Sequence, residues 1–370
     1  MNEPVIPAYG TGTLAELFPA IGAHLGLAGA SDALGLPDAS HYVVLLIDGL
    51  GWYQREHWEV APFLSGLAGE PITCGVPSTT ATSITSLGTG LAPGQHGVAG
   101  YSFRYPATGK VLNTLQWPSG VHPLDVQPQL TYLERLASAG VRTATVGPAR
   151  FAGSGLTTVA LRDRTFLGVA DENDHPLRID LTVDAARTGD RTLVYVYERS
   201  LDHTGHSRGV DSTQWRAALA RCDELARALR AALPDQTRLV ITGDHGMIDV
   251  PSAARLVVED EPELLAGVTS FAGEGRFRQL YTAPGQAEPV LRRWQARLGE
   301  QAWVLSRQEA FDAGWFGPPN PRVAERFGDV LVAMRSDGAV MSRTLPKEFS
   351  LVGMHGSLTA AEMTVPLLVC

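Results

Sequence analysis

The stretch HYVVLLIDGLG, residues 41–51, decides the fold, because it joins an uninterrupted apolar run to an acid and two glycines. An apolar run without polar alternation is typical of a strand that is covered on both faces, as in a parallel sheet. Similar runs occur at residues 142–147, 192–198 and 237–244. We therefore predict that these four segments are strands of one buried parallel sheet.

Helical patterns lie between the predicted strands. Residues 130–140 have one such pattern, and residues 211–233 open on an Asp-Ser cap and continue with apolar residues at helical spacing. Strands that alternate with helices indicate an α/β protein. The sequence thus predicts a doubly wound, mostly parallel sheet that is sandwiched by helices.

Residues 251–345 have a different character. Gly- and Pro-rich breaks (FAGEGRF, APGQAEP, WFGPPNP) separate short elements, and GDVLVAMR is the one good strand candidate. We interpret this part as a small inserted α+β subdomain at the edge of the sheet. Residues 1–250 and 346–370 then form the catalytic core, to which GMHGSLTAAEMTVPLLV returns the chain.

The composition excludes some classes of protein. The chain has 370 residues and a formal net charge of -9, so it lacks the basic surface that binding to a nucleic-acid duplex requires. The N-terminal sequence shows neither a secretory signal nor a membrane span, and we expect a cytoplasmic protein. The odd number of scattered cysteines argues against a disulfide framework, and we interpret them as bland small residues: Cys74, Cys222 and Cys370.

Potential ligands follow three of the predicted strands. In open α/β sheets the carboxyl ends of the strands border the ligand-binding crevice, because the loops converge there. Each residue alone is better explained as a turn or cap residue, but their joint occurrence at one edge favours a site. These residues are Asp48, Asp202, His206, Asp244 and His245, and His355 arrives from near the C-terminus.

The ligand types indicate the chemistry of this predicted site. Three aspartates and three histidines without cysteine suit zinc, with manganese and iron as alternatives. Six side chains are too many for one tetrahedral ion. Two metal ions roughly 4 Å apart would form the clamp that stabilises attacking and leaving oxygens in phosphoryl transfer.

The segment CGVPSTTATSITSLGTG, residues 74–90, supplies hydroxyl groups near this edge. ITCGVP predicts a short strand, and TTATSITSLG predicts a short helix that begins near Thr79 or Thr80. A hydroxyl at a helix N-terminus faces free N–H groups and the positive end of the helix dipole, which favour an alkoxide and an incoming phosphate. For Ser78 and Thr79 we prefer the simpler role of a helix cap.

Taken in order, several blocks of the chain resemble the type I phosphodiesterase and nucleotide pyrophosphatase family of the alkaline phosphatase superfamily. The resemblance covers most of the chain and implies an alkaline-phosphatase-like fold. It also implies a hydrolase whose small phosphate-ester substrate can be a nucleotide. The blocks are LIDGLG, PSTTATSITSLGTGLAPGQHGV, DHTGH, GDHGM, and MHG followed by EMTVPLL.

The resemblance assigns roles to these residues. Pro77 and Gly90 set the register so that Thr80 is the nucleophile, which attacks phosphorus in line and forms a phospho-threonine intermediate. Two divalent metal ions are implied as cofactors. Asp202, His206 and His355 would hold one ion, while Asp48, Asp244, His245 and the Thr80 oxygen would hold the other.

Substrate contacts are less defined by the sequence. From the resemblance we expect an asparagine that donates to phosphate three residues after the nucleophile, whereas this chain has Ser83, which reaches less far. Arg208 can meet a phosphate in a bidentate manner, although a surface position is equally compatible with the sequence. Tyr101 lies among the aromatic residues of a predicted loop over the site, and such residues are more often buried in a core.

Other functions stay open at this point. The same fold and metals would serve a phosphomonoesterase or a phosphonate hydrolase, and the serine at position 83 weakens the diesterase interpretation without naming another. A metal-binding protein that has lost turnover is a further alternative. The complete set of ligands together with Thr80 argues against it, because binding alone does not require a nucleophile.

Overall fold

A computed structural model describes residues 3–370 of the protein. Its strands, in chain order, are β1 (His41–Ile47), β2 (Gly69–Thr73), β3 (Ser102–Tyr105), β4 (Lys110–Asn113), β5 (Arg142–Pro148), β6 (Phe166–Val169), β7 (Thr192–Glu198), β8 (Thr237–Thr242), β9 (Ile248–Asp249), β10 (Arg255–Val257), β11 (Val268–Glu274), β12 (Phe277–Thr282), β13 (Ala302–Ser306), β14 (Val330–Met334), β15 (Ala339–Met341), β16 (Gly353–Met354) and β17 (Thr364–Val369).

Helices connect most of these strands. In chain order they are α1 (Leu17–His24), α2 (Pro62–Gly66), α3 (Thr80–Thr89), α4 (Pro93–His96), α5 (Pro123–Val126), α6 (Tyr132–Ser138), α7 (Gly155–Ala160), α8 (His175–Ala186), α9 (Ser200–Arg208), α10 (Thr213–Ala232), α11 (Ala287–Leu298), α12 (Arg307–Asp312) and α13 (Ala360–Met363).

The main sheet has seven strands in the order β2-β17-β8-β1-β7-β5-β6. The pairs from β8 through β1, β7 and β5 to β6 are parallel. At the other edge β17 pairs antiparallel with both β8 and β2. The four strands predicted from apolar runs are β1, β5, β7 and β8, so the prediction of a mostly parallel α/β sheet is confirmed.

Strand β1 shows why its sequence is apolar throughout. Tyr42, Val44 and Leu46 belong to one hydrophobic core, and Val43 and Leu45 belong to the core on the opposite face. Helices α1, α3 and α6 contribute to the first core, whereas α8 and α10 contribute to the second. Both faces of the sheet are therefore covered, as the sequence predicted for a sandwiched sheet.

The segment that leads to Thr80 departs from the predicted strand. Strand β2 covers Gly69–Thr73 and ends before most of ITCGVP, because Gly75 and Pro77 both disfavour continued pairing. Helix α3 begins at Thr80, with Thr79 as its extended N-cap residue. The predicted start of the helix near Thr79 or Thr80 is thus confirmed.

A second sheet lies within residues 251–345, with the antiparallel order β11-β12-β14-β13. The helix α11 packs on it around Trp294, and together they form a hydrophobic core of their own. On the opposite side Phe277, Trp315 and Leu331 join the core that also contains Tyr42 of β1. This part of the chain is therefore packed against the main sheet, although its division as a separate subdomain stays a prediction.

Candidate active site

Three adjacent strands of the main sheet bring the predicted ligands to one edge. Asp48 directly follows β1, Asp244 follows β8, and Asp202 lies in α9, which begins after β7. Asp202 N donates to Asp48 O at 3.0 Å. Gly49 has a φ of +79°, and a Cβ there would lie 3.1 Å from Asp202 Cα, so the Asp-Gly pair permits a close approach of the two loops.

Thr80 lies next to two of these ligands. As the first residue of α3, its side chain projects from the helix N-terminus. Thr80 Oγ1 is 3.2 Å from His245 Nε2 and 3.4 Å from Asp48 Oδ1. The Ser78 hydroxyl instead donates to Ser357 O at 2.7 Å and accepts from Gly356 N. Ser78 thus joins the Thr80 loop to the loop that carries His355.

The histidines lie close to the carboxylates. His206 Nε2 is 3.3 Å from Asp202 Oδ1, and His355 Nε2 is 3.9 Å from the same oxygen. His245 Nε2 is 3.6 Å from Asp244 Oδ2. The His245 and His355 rings stack with centroids 3.6 Å apart. The structure therefore brings together all seven residues that the sequence nominated as metal ligands.

Backbone carbonyls orient each of these histidines. His206 Nδ1 lies 2.9 Å from Gly353 O, His245 Nδ1 lies 2.9 Å from Gly246 O, and His355 Nδ1 lies 2.8 Å from Ser78 O. A carbonyl oxygen can only accept, so Nδ1 carries the hydrogen in each case and Nε2 keeps its lone pair. The hydrogen bond to Nδ1 fixes the tautomer that a metal-binding imidazole needs.

The charges at this edge are unbalanced without cations. Burial raises the pKa of Asp48 well above its usual value, and the negative charges of Asp202 and Asp244 raise it further. Burial lowers the pKa of His355, and the neighbouring imidazoles of His245 and His206 lower it further, because they disfavour a positive charge beside them. Within residues 3–370, Asp202 Oδ1 and Asp244 Oδ2 are buried without a hydrogen-bond partner. Inward-facing carboxylate oxygens and free Nε2 atoms fit divalent metal ions.

Two groups of side chains within the described residues could each hold an ion. One consists of Asp202, His245 and His355, and the other consists of Asp48, Asp244 and His245. His245 belongs to both groups, whereas His206 stands beside the first. The family resemblance instead assigns His206 to the first group and His245 to the second, and this division between the two ions stays a prediction.

Tyr197 is a residue that the sequence analysis missed. Its hydroxyl donates to Asp48 Oδ2, whereas Thr80 lies beside the other oxygen of this carboxylate, Oδ1. The residue lies in β7, where the apolar run TLVYVYE gave no sign that one tyrosine would contact a ligand. Only the parallel pairing of β1 with β7 brings Tyr197 beside Asp48.

A cavity of about 640 Å³ opens above these residues. We call its lower part the floor, formed by Asp48, Thr80, Asp202, His206 and His355. We call its outer part the rim. The rim side chains used below are Tyr101, Leu115, Trp117, Arg150, Phe151 and Arg199.

The three predicted substrate contacts differ in their placement. Tyr101 lies in the rim. Ser83 is fully buried, and the described residues that line the cavity do not include it, because α3 packs this turn into the core. Arg208 is exposed, and it is also absent from the described lining, since it lies at the C-terminal end of α9. The structure therefore brings Tyr101 to the cavity but not Ser83 or Arg208, and substrate contacts of all three stay predictions.

The fold is alkaline-phosphatase-like. Murine ectonucleotide pyrophosphatase/phosphodiesterase 5 matches with a TM-score of 0.72 at 16% identity, over 88% of this chain and 87% of that chain. Phosphonoacetate hydrolase from Sinorhizobium meliloti 1021, in complex with phosphonoformate, matches with a TM-score of 0.68 at 16% identity, over 90% of each chain. These similarities confirm the predicted fold class.

The chain belongs to the type I phosphodiesterase / nucleotide pyrophosphatase family, whose model matches residues 42–358. It is accordingly a hydrolase, from a family that depends on metal ions. Human ectonucleotide pyrophosphatase/phosphodiesterase family member 7 is 28% identical over 172 residues, which are 41% of this chain and 35% of that protein. This match thus spans about a third of the human relative. None of the helices formed by residues 3–370 combines the length and apolar character needed to cross a bilayer.

Proposed function

We propose that this hydrolase cleaves phosphodiester or nucleotide pyrophosphate bonds, with Thr80 as the nucleophile and two divalent metal ions, preferably zinc, as cofactors. The position of Thr80 carries the proposal. Its hydroxyl lies at the start of a ten-residue helix, within 3.4 Å of Asp48 Oδ1 and His245 Nε2, on the floor of the cavity.

The residues of the chain would divide the work as follows. Asp48, Asp244 and His245 would hold one ion beside Thr80, and Asp202 and His355, with His206, would hold the other. Bound ions would lower the pKa of the attacking hydroxyl and neutralise charge on the phosphate oxygens. The first turn of α3 would add free N–H groups and the positive end of its dipole.

The reaction then has two displacements at phosphorus. In the first, a bond forms between Thr80 Oγ1 and phosphorus while the bond from phosphorus to the leaving-group oxygen breaks, and the Thr80 proton passes through solvent to that oxygen. In the second, water attacks the phospho-threonine, returns a proton to the Thr80 oxygen and releases the phosphate product. Backbone carbonyls keep the histidine rings in one orientation throughout, so little reorganisation is required.

The size of the cavity favours a diester or pyrophosphate over a small monoester. A volume of about 640 Å³ lies within the range of pockets that enclose a ligand of nucleotide size. Aromatic rim residues such as Tyr101 and Trp117 offer flat surfaces for such a group. A small monoester would leave most of this volume unused.

A substrate panel tests the proposal. The zinc- or manganese-loaded protein should hydrolyse bis-p-nitrophenyl phosphate or a dinucleotide with a higher kcat/KM than a phosphomonoester. Thr80→Ala should lower kcat by at least about 10³-fold while both metal ions stay bound, and Thr80→Ser should retain measurable turnover. Full activity of Thr80→Ala would exclude Thr80 as the nucleophile. Activity that survives complete chelation would exclude the metal-dependent mechanism.

A further inference from the structure

One wall of the rim carries two arginines that share a single carboxylate. Arg150 Nη1 donates to Glu172 Oε1, and Arg199 Nη1 donates to Glu172 Oε2 at 3.1 Å. Within the described chain their remaining N–H groups have no protein acceptor. Two guanidinium groups and one glutamate leave a net charge of +1 on this wall, although the chain as a whole carries -9.

This wall lies close to the floor. Tyr197, whose hydroxyl donates to Asp48, has its ring centroid 6.1 Å from that of Phe151. The guanidinium carbon of Arg150 lies 4.5 Å from the centroid of the Phe151 ring. The contacts thus run from Asp48 through Tyr197 and the tilted ring of Phe151 to Arg150, and all four residues line the same cavity.

The two arginines also repel each other electrostatically. Burial lowers the pKa of Arg150, and the positive charge of Arg199 lowers it further. One carboxylate does not compensate for two guanidinium groups at this position. An anionic group that enters the cavity would relieve this repulsion. It would also accept hydrogen bonds from the free N–H groups, since arginine side chains commonly donate to phosphate or carboxylate oxygens.

We propose that Arg150 and Arg199 bind a second anionic group of the substrate, next to the phosphorus that Thr80 attacks. This inference rests on the proposed function and narrows its substrate class. The preferred substrates are phosphate compounds that carry another phosphate or a carboxylate near the scissile bond. Diesters with one negative charge and neutral substituents would make no use of these two residues.

The alternative role for the arginines is structural, since Arg199 and Glu172 also join the start of α9 to the loop after β6. A structural role would affect every substrate equally, whereas anion recognition would affect only substrates with a second charge. Arg150 separates the two roles well, because its side chain is 52% exposed and its loss should not unfold the protein. Arg199 is less exposed, and its variant requires a thermal unfolding control.

The experiment compares kcat/KM for three substrates in the zinc-loaded enzyme. A nucleoside triphosphate offers a second phosphate, phosphonoacetate offers a carboxylate, and bis-p-nitrophenyl phosphate offers neither. Arg150→Gln and Arg199→Gln should each lower kcat/KM about tenfold or more for the nucleoside triphosphate and for phosphonoacetate. The loss for bis-p-nitrophenyl phosphate should be less than about twofold. The exposed control Arg227→Gln, which loses only a surface ion pair with Glu224, should change neither value.

An equal loss on all substrates, or no loss at all, would overturn the inference while leaving the proposed function intact. Binding measured by calorimetry gives a second test that needs no turnover. Inorganic pyrophosphate or phosphonoacetate should bind zinc-loaded Thr80→Ala about tenfold more tightly than the double variant Thr80→Ala, Arg150→Gln. Equal affinities would refute the arginine site, whether or not the wild-type protein hydrolyses any of the substrates. Absence of hydrolysis by the wild-type protein would separately refute the proposed function.

Discussion

The floor and the rim of the cavity are constructed differently. On the floor, His206 and His355 are each held by a backbone carbonyl, and Asp48 is held by the Tyr197 hydroxyl. In the rim, Leu115 is 61% exposed and Arg150 is held by a single glutamate. The floor is therefore fixed by the ends of the main-sheet strands, whereas the rim depends on side chains that loops present. This difference assigns reaction chemistry to the floor and substrate choice to the rim.

The largest predicted effect concerns the connection between the second sheet and the floor. Arg276, in the turn between β11 and β12, donates to Glu362 from Nη2 at 2.6 Å and from Nε at 3.0 Å. Both side chains are fully buried, and Glu362 also accepts from Ser357 N in the loop after His355. Arg276→Met would leave a buried carboxylate unpaired and should lower the free energy of unfolding by about 3–5 kcal/mol.

Denaturant titration would measure this loss. Arg292→Met is a matched control, because Arg292 forms an exposed ion pair with Glu288 and its removal should cost less than about 1 kcal/mol. If the two variants lost similar stability, the buried pair would not be the anchor between the second sheet and the floor.

The second prediction breaks a contact within the floor. Tyr197→Phe removes the hydroxyl that donates to Asp48 but keeps the ring. Loss of such an outer contact should lower kcat/KM or metal affinity about 10- to 100-fold. Tyr195→Phe is the control, because the Tyr195 hydroxyl is buried without a hydrogen-bond partner in the described residues. A comparable loss in Tyr195→Phe would mean that both effects are due to packing.

The third prediction concerns His96, which supports the helix that carries Thr80. His96 Nδ1 accepts from Val98 N at 3.0 Å, so Nε2 carries the hydrogen and donates to Ser86 of α3 at 3.0 Å. Burial, followed by the positive charge of Arg326, lowers the pKa of His96 from 6.5 to about 3. The folded protein therefore keeps His96 neutral, while the unfolded chain takes up a proton below pH 6.5.

This difference makes the contribution of His96 depend on pH. The stability it provides is complete above pH 6.5, falls as the pH decreases below 6.5, and stops falling near pH 3. Between pH 7 and pH 5 the loss should be about 2 kcal/mol. His96→Gln keeps an acceptor and a donor but cannot titrate, so the difference in unfolding free energy between the two proteins should shrink by that amount. A pH-independent difference would contradict the prediction.

The smallest effects are expected outside both regions. Arg208→Gln changes an exposed side chain at the end of α9, and Ser83→Ala removes a buried hydroxyl that has no hydrogen-bond partner in residues 3–370. Each should alter kcat/KM by less than about twofold and stability by less than about 0.5 kcal/mol. A tenfold loss of kcat/KM in Ser83→Ala would restore the sequence-based prediction of a phosphate contact.

The floor could be predicted from the sequence because its residues follow buried strands directly. Asp48, and Asp244 beside it, follow apolar runs whose continuous hydrophobicity indicates a parallel sheet, and the parallel strands then place both at one edge. The assignment of Thr80 depended on its distance along the sequence from Pro77 and Gly90, which set the register of the family resemblance. The structure confirms the placement of these residues, and their catalytic roles stay predictions for the experiments above.

The rim could not be predicted in the same way. Ser83 was assigned by its spacing from Thr80, but spacing along the sequence does not show whether a helical turn faces the cavity or the core. Tyr197 and Arg150 reach the cavity through pairing between strands that are distant in the sequence. The local sequence does not predict which side chains of β7, or of the loop after β5, lie next to each other once these strands pair.

The carbonyl groups that hold the three histidines have an evolutionary consequence. A main-chain acceptor is present whatever residue occupies its position, so no side-chain replacement elsewhere deletes it. Substitutions at other positions therefore cannot remove the carbonyl groups that orient His206, His245 and His355. The contacts of the arginines and aromatic residues around the opening involve side chains, and substitutions can remove them. Laboratory evolution of new substrate preferences can therefore randomise the opening of the cavity while the reaction centre is inherited unchanged.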